Sequence, residues 1–426
     1  MRIIVTGAGI GGSVLALALE QAGMDYVVLE QAPALTEVGA GIQLSPNGVR
    51  ILEWLGLADD LARYGVEPGG HQLRDWKSGD IVLETPLKSL VKNEFGAAYY
   101  HAHRADLIAS LSRRLNPDRL RLNAKVVAVS QQDGQENDQG DSRVSAVMED
   151  GSVERGDVLI AADGIHSVVR NQVFNPEAPR PSGYLAWRGM VDTDKAAHLG
   201  IERQSTAVMG PRLSIVFYYV SGGAKLNWIA IGASGARGED GTQESWSQTA
   251  SKADLQKAFE GWYPHARGLV DLTDELFVTA LYDREPLPTW IDGRIALMGD
   301  AAHAMLPYHA QGAVQSIEDA WVLARCLQLG QGSNPDDPSA ALLKYESLRK
   351  DRTQRLQLHS RNAERWYHLE DPDEIARRNA RLSAHTQNSA QNGRGGLTPQ
   401  QIWLFTYDAE KAALGTDDEW RALREW

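Results

Sequence analysis

The first thirty residues restrict the fold more than any other stretch. RIIVT (2–6) is a short β-branched run, and Gly7, Gly9 and Gly12 follow at once. SVLALALEQAG then has helical spacing and ends on Gly23, and YVVLE (26–30) is a second apolar run. Strand, glycine turn, helix and strand make a βαβ unit, and uninterrupted apolar strands of this kind belong to a parallel sheet covered on both faces. A lone Gly-x-Gly-x-x-Gly is a weak signal. Here it follows a strand, opens a helix, and precedes an acid, Glu30, at about the 20-residue spacing of a ribose-binding carboxylate. Gly7 permits the turn, Gly9 lets a pyrophosphate approach the backbone, and Gly12 lets helix pack on strand. The helix N-terminus supplies free N–H groups and a positive dipole end. The unit binds a dinucleotide, and Glu30 favours an unphosphorylated adenosine ribose.

Two further segments end strands in the same manner. VLIAADGIHSVVR (158–170) runs an apolar strand into Asp163-Gly164, with Ser167 and Arg170 on the turn and helix start that follow. RIALMGDAAHAMLPYHAQGAVQSIEDA (294–320) stops on Gly299-Asp300, crosses a proline loop and restarts as a helix at Ala313. A carboxylate, a kinked backbone and a helix N-terminus thereby surround one space. In one sheet, all three endings would meet at the carboxyl edge, where open α/β sheets bind ligands.

Between these segments the texture changes. From about 181 to 275 the chain has alternating strands (GYLAWRGMV, LSIVFYYV, NWIAIGA) and an amphipathic helix, ADLQKAFEGW. The expected organisation is α/β. A discontinuous dinucleotide-binding domain takes 1–75, 101–180 and 276–340, and a substrate domain rich in antiparallel strands takes 76–100 and 181–275. A charged helical region covers 341–426. QDGQENDQGDS (132–142) is expected to be a polar hairpin tip, and residues 387–396 a loop.

Composition narrows the partners. With 43% hydrophobic and 23% charged residues the chain is a soluble globular one. A net charge of −13 argues against nucleic acid and anionic membrane surfaces. Cys326 is the one cysteine, so no intrachain disulfide forms and a cytoplasmic setting is expected. No apolar run approaches the ~20 residues of a membrane span. The histidines show no metal-ligand spacing, and no metal is expected.

GAGIGG with Glu30, AADGIHSVVR and GDAAHAMLPYHAQGA, in this order, resemble the flavin monooxygenases of the p-hydroxybenzoate hydroxylase type over nearly the whole chain. VGAGIQLSPNGVRILEWLGL (38–57), HAHRADL (101–107) and WLFTYDAEKA (403–412) place it near the salicylate hydroxylase, 3-hydroxybenzoate 6-hydroxylase and 6-hydroxynicotinate 3-monooxygenase group. The resemblance implies a Rossmann-like FAD-binding domain, NAD(P)H as transient reductant, and oxygen transfer to an aromatic ring through a flavin hydroperoxide. Gly7, Gly9, Gly12 and Glu30 would hold the ADP half of FAD. Arg104 would reach its phosphate and ribityl region, Asp300 the ribityl chain, and Asp163 the cofactor and reductant. The Gly312-Ala313 N–H groups would face the pyrimidine edge of the isoalloxazine, and Pro307 would lie beside the reacting ring.

On the substrate side, relatives carry a His four residues before a Tyr on the strand matching LSIVFYYV. Tyr218 matches the Tyr, but Ser214 stands at the His position, and Gln43 replaces a second His. His309 and Tyr308 are the remaining local proton-handling candidates, and Arg188 is a candidate for a substrate carboxylate. The small-molecule partners expected are an aromatic substrate and O2, and the charged helical C-terminus would suit a homodimer. The replaced histidines keep a second reading open: hydroxylation or epoxidation of a larger natural product on the same cofactor. A non-turnover flavin-binding protein is a third.

Overall fold

A computed structural model describes residues 1–36, 40–88, 90–131, 143–174, 177–233, 252–331, 337–389 and 396–423 of the 426. Strand Arg2–Thr6 lies inside a six-stranded sheet, flanked by Val158–Ala161 and Asp25–Leu29, all parallel. Ile295–Leu297 adds a further parallel strand beyond Val158–Ala161. Ile3, Ile4, Val5, Leu159, Ile160 and Leu297 are fully buried. Helices Ile10–Gln21 and Gly312–Gln331 pack into the core of this sheet, as do Val129, Val144, Ala146 and Met148 from a small sheet of Val126–Gln131, Val144–Met148 and Val153–Gly156. Cover on both faces is why the central strands carry no polar alternation. The ends at Thr6, Ala161 and Leu297 are adjacent, so the glycine turn, Asp163 and Asp300 follow neighbouring strands at one edge.

A seven-stranded, mostly antiparallel sheet forms the second layer. Its order is Phe277–Asp283, Arg180–Asp192, Lys225–Ala233, Leu213–Val220, Ser205–Gly210, Gly70–Asp75 and Ile81–Pro86. Gly70–Asp75 and Phe277–Asp283 therefore lie in this sheet, outside the expected segments 76–100 and 181–275. GHQLRD lacks a clean apolar alternation, so its strand is set by pairing with Ser205–Gly210 and Ile81–Pro86. One face of the sheet packs Ile215, Phe217 and Trp228 against Phe259 and Trp262, below helices Lys252–Ala258 and Pro264–Leu272. The other turns toward the nucleotide-binding layer, where Ala186, Ile231 and Leu281 meet Leu306.

A ribbon of Gly41–Leu44 with Tyr100–His103 joins the two layers. Gly41 is required there. A Cβ would lie 2.6 Å from Asn227 Cγ and 2.7 Å from Tyr218 Cε2. The C-terminal region is helical: Ser339–Tyr367, Pro372–Ser389, Pro399–Thr406, Ala409–Leu414 and Asp418–Ala422. Residues 387–389 end a helix rather than begin a loop; residues 390–395 and the expected hairpin tip at 132–142 lie outside the described residues. Among the described residues no helix is long and apolar enough to cross a membrane.

Candidate active site

The glycine turn is shaped by backbone contacts. Gly7 has φ +92°, and a Cβ on it would lie 2.5 Å from the Ala162 carbonyl oxygen. On Gly12 a Cβ would lie 2.0 Å from the Gly7 carbonyl oxygen, so helix and strand pack as closely as the fingerprint requires. At Gly9 a Cβ would meet nothing within 4 Å: the turn opens outward there. Glu30 braces it, accepting from Ala8 N–H at 2.7 Å and Ala32 N–H at 2.8 Å.

Asp163 accepts from Val168 N–H through Oδ2 at 3.0 Å, while its buried Oδ1 has no partner. Burial pushes this carboxyl up, against the pull of the Ser167 and backbone hydrogen bonds. Gly299 has φ +58°, and its N–H donates to Asp319 Oδ2 at 2.9 Å, which turns the chain so that Asp300 is exposed. A Cβ on Gly312 would sit 3.9 Å from Asp300 Oδ1, so this carboxylate and the start of helix Gly312–Gln331 close on one space. The first N–H groups of that helix, at Gly312 and Ala313, have no intrahelical acceptor and carry the positive dipole end. Arg104 opens helix Arg104–Ser112, and its own N–H donates to the Ala40 carbonyl at 2.9 Å. An open glycine turn, an orphaned acceptor and the free N–H groups of a helix start along one sheet edge fit FAD; Gly7, Gly9, Gly12, Glu30 and Arg104 would then take its adenosine and phosphate end, and Asp163, Asp300, Gly312 and Ala313 would lie toward the ring.

Buried charge fixes this ring-side helix. Arg349 pairs with Glu318 and, through Nε at 2.8 Å, with Asp319; Arg352 Nε meets Glu318 at 2.9 Å, and all these side chains are fully buried. Asn47 Nδ2 donates to Glu318 at 2.6 Å and His303 Nε2 lies 2.5 Å from Asp319 Oδ2. Burial raises the Asp319 carboxyl, but His303 and Arg349 outweigh it and hold it down to about 2. So dense a set of partners offsets the desolvation cost that an isolated buried pair would carry.

The inner face of the seven-stranded sheet forms the opposite wall. Along Leu213–Val220, residues 214, 216 and 218 share a face, and Val216 is the only residue of that strand not buried. Val216 pairs with Ile229, and Ile229 with Arg188; all three are partly buried rather than sealed, making a row of accessible side chains across the sheet. One end of the opening is Tyr218, 2% exposed, with the His101 ring 4.3 Å away. Tyr99 Oη donates to Gln43 Oε1 at 2.6 Å, and Gln43 in turn hydrogen-bonds Tyr218. The Gln43 contact favours the ionised form of Tyr218, as an amide N–H donor does, so the Tyr218 proton is directed away from Gln43. Burial nonetheless keeps Tyr218 a neutral phenol, pushed well above its usual range against the pull of Arg188. Arg188 is lowered to about 10, first by burial and then by Arg104; its NH1 donates to Thr279 Oγ1.

The FAD binding domain model matches residues 1–360. The chain is 36% identical to 3-amino-4-hydroxybenzoate 2-monooxygenase of Streptomyces cremeus over 90% of its length and 92% of the relative's. It is 34% identical to 6-hydroxynicotinate 3-monooxygenase of Bordetella bronchiseptica, over 84% and 89%. Among solved structures it is similar to Klebsiella pneumoniae HpxO complexed with FAD and uric acid, with TM-score 0.75 and 29% identity, covering 99% of this chain and 97% of that one. The chain belongs to the FAD-dependent aromatic monooxygenases. The monooxygenase takes FAD as its cofactor, and the family uses NAD(P)H as reductant.

The remaining residues fall into two groups. Pro307 is exposed and opens a single turn, Pro307–His309, before Ala310. His309, a catalytic candidate from the sequence, faces the C-terminal helices: its Nδ1 lies 2.9 Å from Gln400 Nε2, and His359 is a neighbour. Burial pushes it down to about 4. Ser214 meets a group the sequence reading did not contain, His368, whose Nε2 is 2.9 Å from Ser214 Oγ. His368, Tyr99, His101 and Asn227 were not identified from the sequence because nothing in their own neighbourhoods marks them. HAHRADL carries His101, but only pairing with Gln43 sets that residue beside Tyr218.

Proposed function

We propose that the monooxygenase hydroxylates an aromatic carboxylic acid, of the hydroxylated benzoate or pyridine-carboxylate kind, held over the open row of Val216, Ile229 and Arg188. The observation that carries the reading is Arg188. A partly buried cation at the floor of an otherwise apolar row, next to a phenol, suits a carboxylate. Both relatives named above act on rings that bear one.

When bound, FAD supplies activated oxygen after reduction by NAD(P)H. The chain supplies the rest. Val216 and Ile229 present an apolar surface to a ring face and exclude water beneath it. Arg188 and Tyr218 orient the ring through its carboxylate, Tyr218 donating because its proton is directed away from Gln43. Pro307, with φ limited near −65°, fixes the loop that faces this wall. Asp300 and the N–H groups of Gly312 and Ala313 fix the cofactor from the other side, the helix end favouring negative charge there.

The test is incubation of the FAD-loaded protein with NADH or NADPH and a library of such acids, reading products for a gain of one oxygen. At least one acid is expected to accelerate reductant oxidation and gain an oxygen. Arg188→Gln is expected to raise its KM about tenfold or more while leaving FAD content unchanged. A library in which no acid is hydroxylated, or an Arg188→Gln protein with unchanged KM, sinks the reading.

A further inference from the structure

The turn that carries Asp300 cannot hold its own shape. Gly299 sits at φ +58° and ψ −141°, a conformation open in practice to glycine alone, and a Cβ there would lie 2.7 Å from Ser316 Oγ. The helix that follows, Asp300–His303, is a single turn, closed by the Ala302 and His303 N–H groups on the Gly299 carbonyl at 2.9 and 2.8 Å. One turn makes too few hydrogen bonds to offset the order it imposes. Its stability has to come from a neighbour.

That neighbour is Asp319. Its Oδ2 accepts from the Gly299 N–H at 2.9 Å and from His303 Nε2 at 2.5 Å, so one oxygen clips the two ends of the turn together. Its Oδ1 accepts from Arg349 Nε at 2.8 Å, and the Arg349 fork also reaches Gln315 and Glu318. Asp319, His303 and Arg349 are fully buried, where hydrogen bonds to an ionised carboxylate are strong. Tyr345, one turn before Arg349 on helix Ser339–Tyr367, donates at 3.1 Å to the carbonyl of Leu297, the last residue of the strand before the turn. The clip is therefore anchored in the C-terminal helical region as well as in the sheet.

The place of Asp319 in its own helix has a second consequence. It stands two helical turns beyond Gly312, on the same side of helix Gly312–Gln331. The Asp300 carboxylate and the start of that helix close on one space, Asp300 Oδ1 lying 3.9 Å from a Cβ on Gly312. Two groups that would grip FAD come from separate segments, and a residue on the helix that carries one of them fixes their spacing.

We propose that Asp319 is a positioning residue for FAD: through Gly299 and His303 it aims Asp300, and through Arg349 it makes the C-terminal helix part of the cofactor site. Asp319 is fully buried, so its effect on FAD passes through the turn. The inference rests on the cofactor and is independent of which aromatic ring is the substrate.

The test is release of flavin on dilution of the FAD-loaded protein, followed by flavin fluorescence. Asp319→Asn should raise the Kd of FAD about tenfold, as expected for weakening buried hydrogen bonds to a charged group. Asp300→Ala should raise it at least as much. The double variant should bind no more weakly than Asp300→Ala alone, because Asp319 then has nothing left to aim. Within the turn, His303→Ala should weaken FAD, and His303→Gln, which can still donate to Asp319, should recover part of the loss. Asp60→Asn is the stability control: it breaks ion pairs with Arg63, Arg113 and Arg114 and makes no bond to this turn, so its Tm should fall with the Kd of FAD unchanged. Losses that add in the double variant, or a Kd that rises as much in Asp60→Asn, mark Asp319 as a scaffold residue and overturn the proposal. So does an unchanged Kd in Asp319→Asn. If Asp319→Asn fails to fold, the two His303 variants, each combined with Asp300→Ala, decide by the same reading.

Discussion

The glycine turn assigned to the adenosine of FAD and the proposed substrate wall would both hold flat aromatic groups, but they are made of different materials. At the adenosine end the close contacts are backbone: a Cβ on Gly7 or Gly12 would run into the Ala162 or Gly7 carbonyl oxygen, and Glu30 braces the loop through Ala8. The wall is made of side chains from Gln43, Tyr99, His101, Arg188, Ser214, Tyr218 and His368, gathered from several strands and the end of a C-terminal helix. Backbone sites tolerate almost no added atom and little substitution. Side-chain sites draw their partners from distant segments, as Ser214 draws His368.

The largest expected effect comes from adding one methyl group to the first region. Gly12→Ala would place a carbon 2.0 Å from the Gly7 carbonyl, a backbone atom that cannot rotate away. We expect a cost of about 3 kcal/mol and purified protein with little or no FAD. The matched change on the wall, Tyr218→Phe, removes an oxygen and adds nothing; it should leave FAD content at the wild-type level and raise the Kd of an aromatic acid about tenfold. Equal loss of FAD in both variants would break the distinction between the two regions.

Acid should separate them next. The ring-side helix is held by buried charge, with Asp319 kept down to about 2 by His303 and Arg349 against its burial. An unfolded Asp titrates near 3.9. Because the folded value is the lower one, this carboxylate stabilises the native state fully above pH ~4 and loses its contribution, about 2 to 3 kcal/mol, as pH falls from there toward 2. Denaturant unfolding of the FAD-loaded protein at a series of pH values should show that loss, and Asp319→Asn should flatten it. A wild-type profile that is level between pH 4 and 2 would mean that the network is not what holds this helix.

The same contrast explains what the amino-acid sequence made readable. Gly7, Gly9, Gly12 and Glu30 lie within one βαβ unit, so spacing alone predicts their geometry. Asp163 and Asp300 could be placed because each ends an apolar strand, and the parallel sheet gathers such ends at one edge. His368 gave no such signal. It follows Tyr367 at the end of a charged helix, and only the packing of that helix against the loop at Tyr308 and the strand at Tyr184 brings it to Ser214. His309 shows the converse: its position on the flavin loop suggested the pocket, and the partners the fold gives it, Gln400 and His359, come from the C-terminal helices. The strand at Gly70–Asp75 was hidden because its residues are mostly polar and the partner on its inner side, Ser205–Gly210, is remote in sequence.

The smallest effect sharpens the comparison on the ring side, where the loop after Pro307 retains strain that the glycine turn avoids. Ala310 sits at φ +51° and ψ +36°, left-handed backbone, and its N–H closes the turn onto the Pro307 carbonyl at 3.0 Å. An alanine there costs about 1 to 2 kcal/mol relative to relaxed backbone. Ala310→Gly would remove that strain but give the unfolded chain more freedom, worth about 0.4 to 1 kcal/mol in the other direction. The net expectation is a gain of about 0.5 to 1 kcal/mol, read as a small rise in the Tm of the FAD-loaded protein. The strain aims the next N–H groups, at Gly312 and Ala313, so the relaxed loop should pay for its stability in precision: a lower fraction of reductant oxidation coupled to product. A fall in Tm would show instead that the Ala310 methyl group packs into the loop and that its left-handed conformation is not a cost the fold carries.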